Sequence, residues 1–597
     1  MKLFWRRLGG ALHSFSAASS GYGHFSSVCS NSKFDLTDLT RPHTWYPLAR
    51  RKKRNIFLHV GPTNSGKTYH ALKQLESSSS GLYCGPLRLL AWEVAKRLNK
   101  VNVPCNLITG QEREEINGAK HNSVTVEMAD VICDYKQGIA YFLLRKAGSQ
   151  PLSLFTDSAF CFQMIGCNTR GFSFTRALLG IAADELHLCG DTCAVPLVQE
   201  ILGVTGDVIK VQYYERLSPL IPAKVPLRSF SDIQRGDCVV TFSRREIYKM
   251  KHDMPVSYWN LRYRGYHKVH MMQYTTVLQR FSEKEIETKG KHLCSVVYGS
   301  LPPETRTRQA SMFNDESSEF DVLVASDAVG MGLNLNISRI IFSTLKKFDG
   351  SEMRKLTVSE IKQIAGRAGR YGSKFPNGEV TCLDGEDLPL LHSSLRSPSP
   401  ILERAGLFPT SDLLFLYSRL HPKVGFYHML EQFLEKAKTS PFYFITNCED
   451  ILKVAAVIDE MPLSLEDKYL FCISPVDMND EISGQGLVQF AESYSKRGVV
   501  HLKEIFTPGT LRVPKSQNEL MELESIHKVL TGNYEVLDLY VWLSFRLEES
   551  FPDREVASAQ KEMCNLLIEE FLERLGWQRP RARNLFKRPS WRPAFLS

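Results

Sequence analysis

The sequence predicts two α/β domains in tandem, each built on a parallel sheet, followed by an all-helical C-terminal domain. Short apolar runs alternate with helix-like segments from residue 55 to about 245, and again from Cys238 to about Leu395. Such alternation is typical of parallel sheets covered by helices. From about Pro398 the apolar residues recur at helical spacing instead. We therefore expect an N-terminal extension, two α/β domains and a helical domain with a basic tail at 1–45, 46–205, 206–397 and 398–597.

Each element follows from a local pattern. Apolar runs predict strands at Ile56–Val60, Gly81–Cys84, Leu186–Cys189, Val239–Phe242, Cys294–Tyr298, Val322–Ala325 and Ile340–Phe342. Helical spacing is clearest at Leu413–Tyr417 and at Met563–Phe571. Two stretches, 132–160 and 251–286, show neither period where an α/β sheet normally has a short connection.

Composition excludes several classes of protein. The 597 residues are 43% hydrophobic and 23% charged, which is ordinary for a globular chain. No apolar run approaches the ~18 residues of a membrane span, so no membrane partner is predicted. The fourteen cysteines are scattered without zinc-ligand spacing, and we expect them to be reduced and mostly buried. A net charge of +9 permits a nucleic-acid partner without requiring one.

The first 34 residues have the character of a transit peptide. They carry Lys2, Arg6, Arg7 and Lys33 and no acidic residue. A basic, serine-rich, acid-poor and amphipathic start is typical of organelle targeting, and we favour the mitochondrion over the chloroplast. The alternative is a disordered basic tail.

A phosphate-binding loop follows the first predicted strand. The segment has the pattern G-x-x-x-x-G-K-[ST] between a strand and a helix-forming run, the context that this motif requires. Its backbone N–H groups would surround phosphate oxygens, Lys67 would reach the β- and γ-phosphates, and the Thr68 hydroxyl would bind Mg²⁺. The loop consists of Gly61, Pro62, Thr63, Asn64, Ser65, Gly66, Lys67 and Thr68. A chance glycine loop is strongly disfavoured.

The second domain carries arginines that suit phosphate chemistry. Gln363 opens a segment, QIAGRAGR, in which Arg367 and Arg370 stand three residues apart. If the segment is helical, both arginines share one face and could reach a γ-phosphate as arginine fingers. The alternative is a solvated basic turn, which would gain nothing from the two glycines. Upstream, a glycine-punctuated loop with Asp327 and Gly330 follows a buried-type strand and suits close approach to a ligand.

Several motifs in order resemble one family. GPTNSGKT, GPLRLLAWEVAKRLN, TGQE, VTVEMAD, ASDAVGMGLNL and QIAGRAGR together resemble the Suppressor-of-Var family, the superfamily-two RNA helicases of the mitochondrial RNA-degrading complex, closest to the flowering-plant form. The resemblance runs from about residue 45 to 555. It implies two RecA-like domains, Mg²⁺-ATP as cofactor, 3′-to-5′ unwinding of RNA, location in the mitochondrial matrix and partnership with a 3′ exoribonuclease. Whether DNA is also unwound is left open.

The resemblance also assigns site residues. It implies that Gln363, Arg367 and Arg370 act with Lys67 in catalysis, and that Asp327 and Gly330 contact the nucleotide. Single-stranded RNA would follow loops that offer N–H and hydroxyl donors to phosphates and sugars. The implied RNA-contacting residues are Pro86, Leu87, Arg88, Thr109, Gly110 and Thr125.

One family feature is missing. The family carries an Asp-Glu pair before Ile-Gln-Met to hold Mg²⁺ and orient water, whereas this chain has Phe160 and Cys161. Asp184-Glu185 is rejected as a substitute because a helix-like run precedes it and the strand follows it. An RNA-binding protein impaired in ATP hydrolysis is therefore kept as the alternative. Residues 133–158 and 251–286 resemble nothing in the family, which indicates retained intron sequence or an erroneous gene model. For 251–286 the alternative is a basic and aromatic RNA-binding insert.

Overall fold

Two parallel sheets form the core of the molecule. The computed structural model describes residues 35–133, 153–156, 164–227, 232–242, 292–330, 333–348, 352–505 and 520–575. The strands of the first sheet are β1 (Asn55–Val60), β2 (Gly81–Gly85), β3 (Cys105–Ile108), β4 (Arg113–Glu114), β5 (His121–Thr125), β6 (Ser153–Thr156), β7 (Glu185–Gly190) and β8 (Val208–Tyr213). Its helices are α1 (Pro47–Arg50), α2 (Lys67–Ser77), α3 (Arg88–Lys100), α4 (Val126–Cys133), α5 (Gly171–Gly180) and α6 (Val195–Gly203).

The first sheet has the order β4-β3-β5-β2-β6-β7-β1-β8, and only the short edge strand β4 is antiparallel. Strand β1 pairs with β7 on one side and with β8 on the other, so that Val60 lies level with Gly190 and Tyr213. Because all the longer strands run the same way, the loops after β1, β2, β3 and β5 emerge at one edge of the sheet.

The strands of the second sheet follow those of the first sheet in the sequence. Its strands are β9 (Leu220–Pro222), β10 (Asp237–Val240), β11 (Leu293–Val297), β12 (Phe320–Ala325), β13 (Arg339–Phe342) and β16 (Gly378–Cys382), in the order β11-β12-β10-β13-β16-β9. A small hairpin consists of β14 (Lys346–Phe348) and β15 (Met353–Lys355). The helices are α7 (Pro303–Asn314), α8 (Val358–Ala365) and α9 (Leu388–Arg396).

These sheets confirm the predicted α/β class, and every strand predicted from apolar runs is present. The expected boundary at 205/206 is wrong in detail because β8 pairs with β1 and so belongs to the first sheet. Strand β9 already pairs with β16 of the second sheet. We therefore propose that the inter-domain linker is residues 214–219.

The C-terminal region is helical, as predicted, with one addition. Its helices are α10 (Ser411–Leu420), α11 (Phe426–Lys436), α12 (Glu449–Ile458), α13 (Leu465–Cys472), α14 (Glu481–Arg497), α15 (Leu502–Ile505), α16 (Leu520–Ser544) and α17 (Arg554–Leu575). Two short parallel strands, β17 (Ala405–Leu407) and β18 (Tyr443–Ile445), were not expected. Gly406 in β17 lies directly against Gly171 of α5, where a larger residue would clash.

The two α/β domains form two lobes, the first built on the first sheet and the second on the second sheet. The C-terminal helices pack on both lobes. One apolar cluster joins the first sheet to Phe408, Phe490 and Tyr540, and another joins the second sheet to Ile568 and Phe571. Among the described residues, no helix is both long and apolar enough to cross a bilayer. The eleven cysteines whose side chains are described form no disulfide, and all but Cys167 are buried.

A buried ion pair fixes the start of β1. Arg54 is fully buried, and its guanidinium donates to both carboxylate oxygens of Asp207, at 2.6 and 3.1 Å. The remaining donors of Arg54 reach the carbonyls of Leu178 and Ile181. Asp207 is equally buried, so neither charge can be hydrated if its partner is removed.

We predict that Asp207→Ala lowers the free energy of unfolding by about 3–5 kcal/mol, because it leaves an unpaired guanidinium in the core. Chemical denaturation of the full chain, with the unfolding of the first lobe followed, measures this change. The matched control is Asp184→Ala, which removes the partner of Lys52 in a pair whose side chains are 39% and 43% exposed. That change should cost less than about 1 kcal/mol. Equal losses in the two variants would contradict the assignment.

Candidate nucleotide and nucleic-acid site

The phosphate-binding loop lies at the carboxyl edge of the first sheet. It leaves β1 after Val60 and enters α2 at Lys67, so the helix N-terminus faces the loop. Asn64 and Gly66 both have positive φ, 58° and 79°, which turns the backbone N–H groups toward the concave side. Glycine at 66 makes this turn possible without strain.

Lys67 is buried at the start of α2, with 3% of its surface exposed. Its ammonium donates to the Pro62 carbonyl across the loop at 2.7 Å. The Ser65 hydroxyl is also buried and has no hydrogen-bond partner within the described residues. A buried cation and a free hydroxyl in a ring of N–H groups fit a phosphate group.

The second lobe closes directly on this loop. The Asn64 side-chain amide donates to the carbonyls of Gly366 and Gly369 at 3.2 and 2.6 Å. Thr63 lies so close to Gly366 that any side chain at 366 would overlap its hydroxyl. Between the lobes lies a cleft of about 580 Å³, lined by residues 63–70 and by Arg367 and Arg370. The loop and both arginines therefore line one cleft.

The arginines do not share a helical face, however. Helix α8 ends at Ala365, and Gly369 has a φ of 66°. Ala368 forms a bridge with Ile337, and Gly369 packs on the backbone of Gly378 without room for a side chain. Tertiary contacts therefore unwind the segment after Ala365, and Arg367 and Arg370 reach the cleft from a turn.

The loop after β12 holds Arg367 in place. The Gly330 carbonyl accepts from Arg367, at 3.1 Å from Nε, and from the Gln363 side chain at 3.4 Å. Asp327 opens the same turn and lies 3.4 Å from the Lys347 ammonium. Gln363 and Arg367 thus share the backbone carbonyl of Gly330, and Asp327 opens the turn that ends at Gly330.

The residues implied to contact RNA divide into two groups. Pro86 and Leu87 line the interlobe cleft, and the Pro86 carbonyl accepts from Arg170 at 2.7 Å. Thr109 and Thr125 are 1% and 6% exposed, and the Thr109 hydroxyl accepts from the Gln111 and Glu112 amides. Both threonines are therefore buried, and Thr109 holds its own loop through these two hydrogen bonds.

Arg88 and Gly110 face the C-terminal domain. The Arg88 guanidinium donates to Asp538 of α16 at 3.2 Å, and Gly110 lies so close to the Trp542 ring that an added Cβ would stand 3.0 Å from it. Burial alone would lower the pKa of Arg88, but the negative charge of Asp538 and its neighbours raises it. Arg546 covers Trp542 and donates to the Gly110 carbonyl. Sequence reasoning missed these α16 residues because no local pattern links them to the first lobe.

The acidic residues that the family needs are not at Asp184-Glu185. Glu185 is level with Asn55 at the amino end of β1, five residues from the phosphate-binding end, or about 16 Å. Asp184 pairs with Lys52 on that far edge. Rejecting this pair is therefore supported by the register. Phe160 and Cys161 lie outside the described residues.

A buried histidine pair lies in the sheet next to the phosphate-binding loop, with His59 in β1 and His187 in β7. His59 Nε2 lies 3.0 Å from His187 Nδ1, and His59 Nδ1 lies 2.8 Å from the Tyr214 hydroxyl. Burial lowers the pKa of His59 to about 4, with a further contribution from His187 and His70, and burial lowers the pKa of His187 to about 4. Both rings are therefore neutral at physiological pH.

Tandem parallel-sheet lobes with a phosphate-binding loop on one and arginines on the other define a two-lobed P-loop nucleoside triphosphatase of the helicase class. Four family profiles match the chain. They are "DEXQ-box helicase domain of Suv3" at 42–140 and 160–214, "Helicase conserved C-terminal domain" at 261–372, "Suv3 C-terminal domain 1" at 453–495 and "ATP-dependent RNA helicase SUV3 C-terminal domain" at 520–574.

The chain belongs to the SUV3 family of ATP-dependent RNA helicases. It is 64% identical to the rice protein "ATP-dependent RNA helicase SUV3, mitochondrial", over 93% of this chain and 86% of that one. It is also 64% identical to Arabidopsis "DExH-box ATP-dependent RNA helicase DExH16, mitochondrial", over 92% and 86%. The human "ATP-dependent RNA helicase SUPV3L1, mitochondrial" is 36% identical, over 90% and 63%. These matches confirm the resemblance and the mitochondrial location.

The profiles also bear on the two irregular segments. The first profile leaves out 141–159, which agrees with the lack of family resemblance at 133–158. The helicase C-terminal profile begins at 261, inside 251–286, and so argues against a wholly foreign segment there. Apart from Cys133 and β6, residues 133–158 lie outside the described ranges, and 251–286 lie outside them entirely.

We predict that the first lobe loses stability as the pH falls from about 6.5 toward 4. In that window the unfolded histidines bind protons and the folded ones do not, so protonation favours unfolding. His59→Asn removes one titrating ring and should retain roughly 1 kcal/mol at pH 5.5 that the parent loses relative to pH 7.5. Chemical denaturation at the two pH values measures this difference.

The control is His428→Asn, at a side chain that is 65% exposed. It should keep the pH slope of the parent. If His59→Asn also keeps that slope, the pair does not control acid stability.

Proposed function

We propose that this chain is an ATP-dependent RNA helicase that hydrolyses ATP between its lobes and moves 3′-to-5′ along RNA in the mitochondrial matrix. The observation that carries the proposal is the shared cleft, in which Lys67 of one lobe and Arg367 and Arg370 of the other are lining residues. Hydrolysis at such a cleft depends on both lobes, so bond cleavage can be coupled to their separation.

Each residue has a distinct task in this proposal. The loop amides and Lys67 bind the phosphates, and Thr68 would hold Mg²⁺, which supplies charge neutralisation when bound. Arg367, fixed by the Gly330 carbonyl, faces the charge that develops on the transferred phosphoryl group. A planar guanidinium suits that task better than an ammonium because its donors form a rigid fork.

The carboxylate that orients water has a candidate in the sequence. Strand β6 lies between β2 and β7 in the sheet and ends at Thr156. The next residue in the sequence is Asp157. We propose Asp157 as the first acid to test, which would make the ATPase-impaired alternative unnecessary.

RNA is proposed to run along the loops of the first lobe, next to the contact that they make with α16. Arg88 and the Gly110 loop lie at this contact, and Trp542 and Arg546 of α16 add an aromatic and a cationic group beside them. Aromatic and basic side chains together suit single strands without sequence preference. We also propose partnership with a 3′ exoribonuclease in a degradosome, because an unwinding enzyme of this polarity delivers 3′ ends; unwinding of DNA is left open.

We predict that Lys67→Ala abolishes ATP binding and RNA-stimulated ATP hydrolysis, because no other side chain can replace its contact with the phosphates. Fluorescent-nucleotide binding and phosphate release, with duplex RNA bearing a 3′ overhang, measure both.

Asp157→Asn should retain ATP binding and lose a factor of ~10²–10⁴ in the rate of ATP hydrolysis. A parent chain that neither binds nor hydrolyses ATP would rule out the proposal, and an unchanged Asp157→Asn rate would exclude that acid.

We predict that Arg88→Ala weakens single-stranded RNA binding equally for all sequences and reduces the salt slope of the binding constant by about one, as expected for one lost phosphate contact. Filter binding across a salt series measures it. Lys96→Ala is the matched control, because it removes an exposed cation from the same helix. Arg88 is not a phosphate contact if the two slopes are the same.

A further inference from the structure

The inter-domain linker runs along the phosphate-binding loop before it enters the second sheet. The Tyr214 amide donates to the Val60 carbonyl at 2.8 Å, and the Leu217 amide donates to the Asn64 carbonyl at 2.9 Å. Gly61 leaves the room for this approach, since any side chain there would overlap the Tyr214 carbonyl. The Pro219 carbonyl then accepts from Gly378, so the linker is bonded to both lobes within six residues.

Arg216, in the middle of this linker, joins the two halves of the site. Its Nη1 donates to the Thr63 carbonyl at 3.1 Å and to the Gly366 carbonyl at 3.0 Å. Its Nη2 donates to the Ala368 carbonyl at 2.6 Å, and its Nε donates to Ser218. One guanidinium therefore holds the tip of the phosphate-binding loop and the turn that carries Arg367.

The charge of Arg216 has no carboxylate partner in the described part of the chain, and its acceptors are carbonyls and the Thr63 hydroxyl. Burial lowers its pKa to about 10, so it stays protonated at neutral pH. This half-buried cation loses two of its acceptors, the carbonyls of Gly366 and Ala368, whenever the lobes part. Arg216 does not line the cleft, so it acts through the backbone that it holds.

We infer that Arg216 is a positioning residue that transmits nucleotide binding at the first lobe to Arg367 on the second. The inference rests on the proposed ATP site and adds the connection between its two halves. A bound phosphate fixes the loop, the loop fixes the Thr63 carbonyl, and Arg216 then fixes the turn at 366–368. A lysine keeps the charge, but its single nitrogen cannot reach four carbonyls in the plane of a fork.

The test is hydrogen–deuterium exchange of the full chain with and without a non-hydrolysable ATP analogue. The parent should gain protection both at 61–68 and at 363–370. Arg216→Lys should keep the protection at 61–68, with analogue affinity within about threefold, and lose it at 363–370. Where hydrolysis is measured, kcat should fall by ~10- to 100-fold with little change in KM, as expected for misplacement of a catalytic group.

Two further variants separate positioning from folding. Arg339→Lys alters a comparably buried arginine, bound to Asp237 in the second sheet, and should behave as the parent in both segments. Asn64→Ala removes the other donor to Gly366 and should give a partial loss at 363–370. No analogue-induced protection at 61–68 in the parent would defeat the proposed function itself. Protection at 61–68 with unchanged protection at 363–370 in Arg216→Lys would overturn only the inference.

Discussion

The parallel register of β1 with β7 and β8 is the constraint on which the site depends. Since Val60, Gly190 and Tyr213 end at one level, the phosphate-binding loop and the linker leave the sheet side by side. The linker can then hydrogen-bond along the loop and still reach the second sheet. A strand of opposite direction at β8 would send the linker to the far edge, where Asp184 pairs with Lys52.

Close backbone approach shapes the site in both lobes and in the linker between them. Gly61 admits the linker, Gly366 admits Thr63 and Gly369 admits Gly378. At these three positions the glycine provides room for another chain segment. The side chains of Asn64 and Arg216 donate to backbone carbonyls of the second lobe, those of Gly366, Ala368 and Gly369. Carbonyls do not titrate, so this contact depends on the positions of the atoms and not on pH. The buried histidines of β1 and β7, His59 and His187, are likewise uncharged at physiological pH.

Much of this arrangement was predictable because its signals are local. An apolar strand followed by GPTNSGKT identifies both β1 and the loop, and spacing identifies α10 and α17. The end of α8 was not predictable from spacing, since Gly369 is held by Gly378 and Ala368 by Ile337, residues distant in sequence. Arg216 lies in an ordinary run, YERLSP, and only the folded chain brings it to Thr63 and Gly366. Asp538 and Trp542 likewise give no sign in the sequence that they face Arg88 and Gly110.

One turn of α16 touches both lobes. Tyr534 donates to Glu304 of the second lobe at 3.0 Å, and Asp538, four residues on, accepts from Arg88 of the first. Residues at this spacing lie on one helical face about 6 Å apart along the axis. The helix therefore links the two lobes through two side chains at a fixed spacing. Opening of the cleft beyond the reach of these two side chains must break one of the two hydrogen bonds.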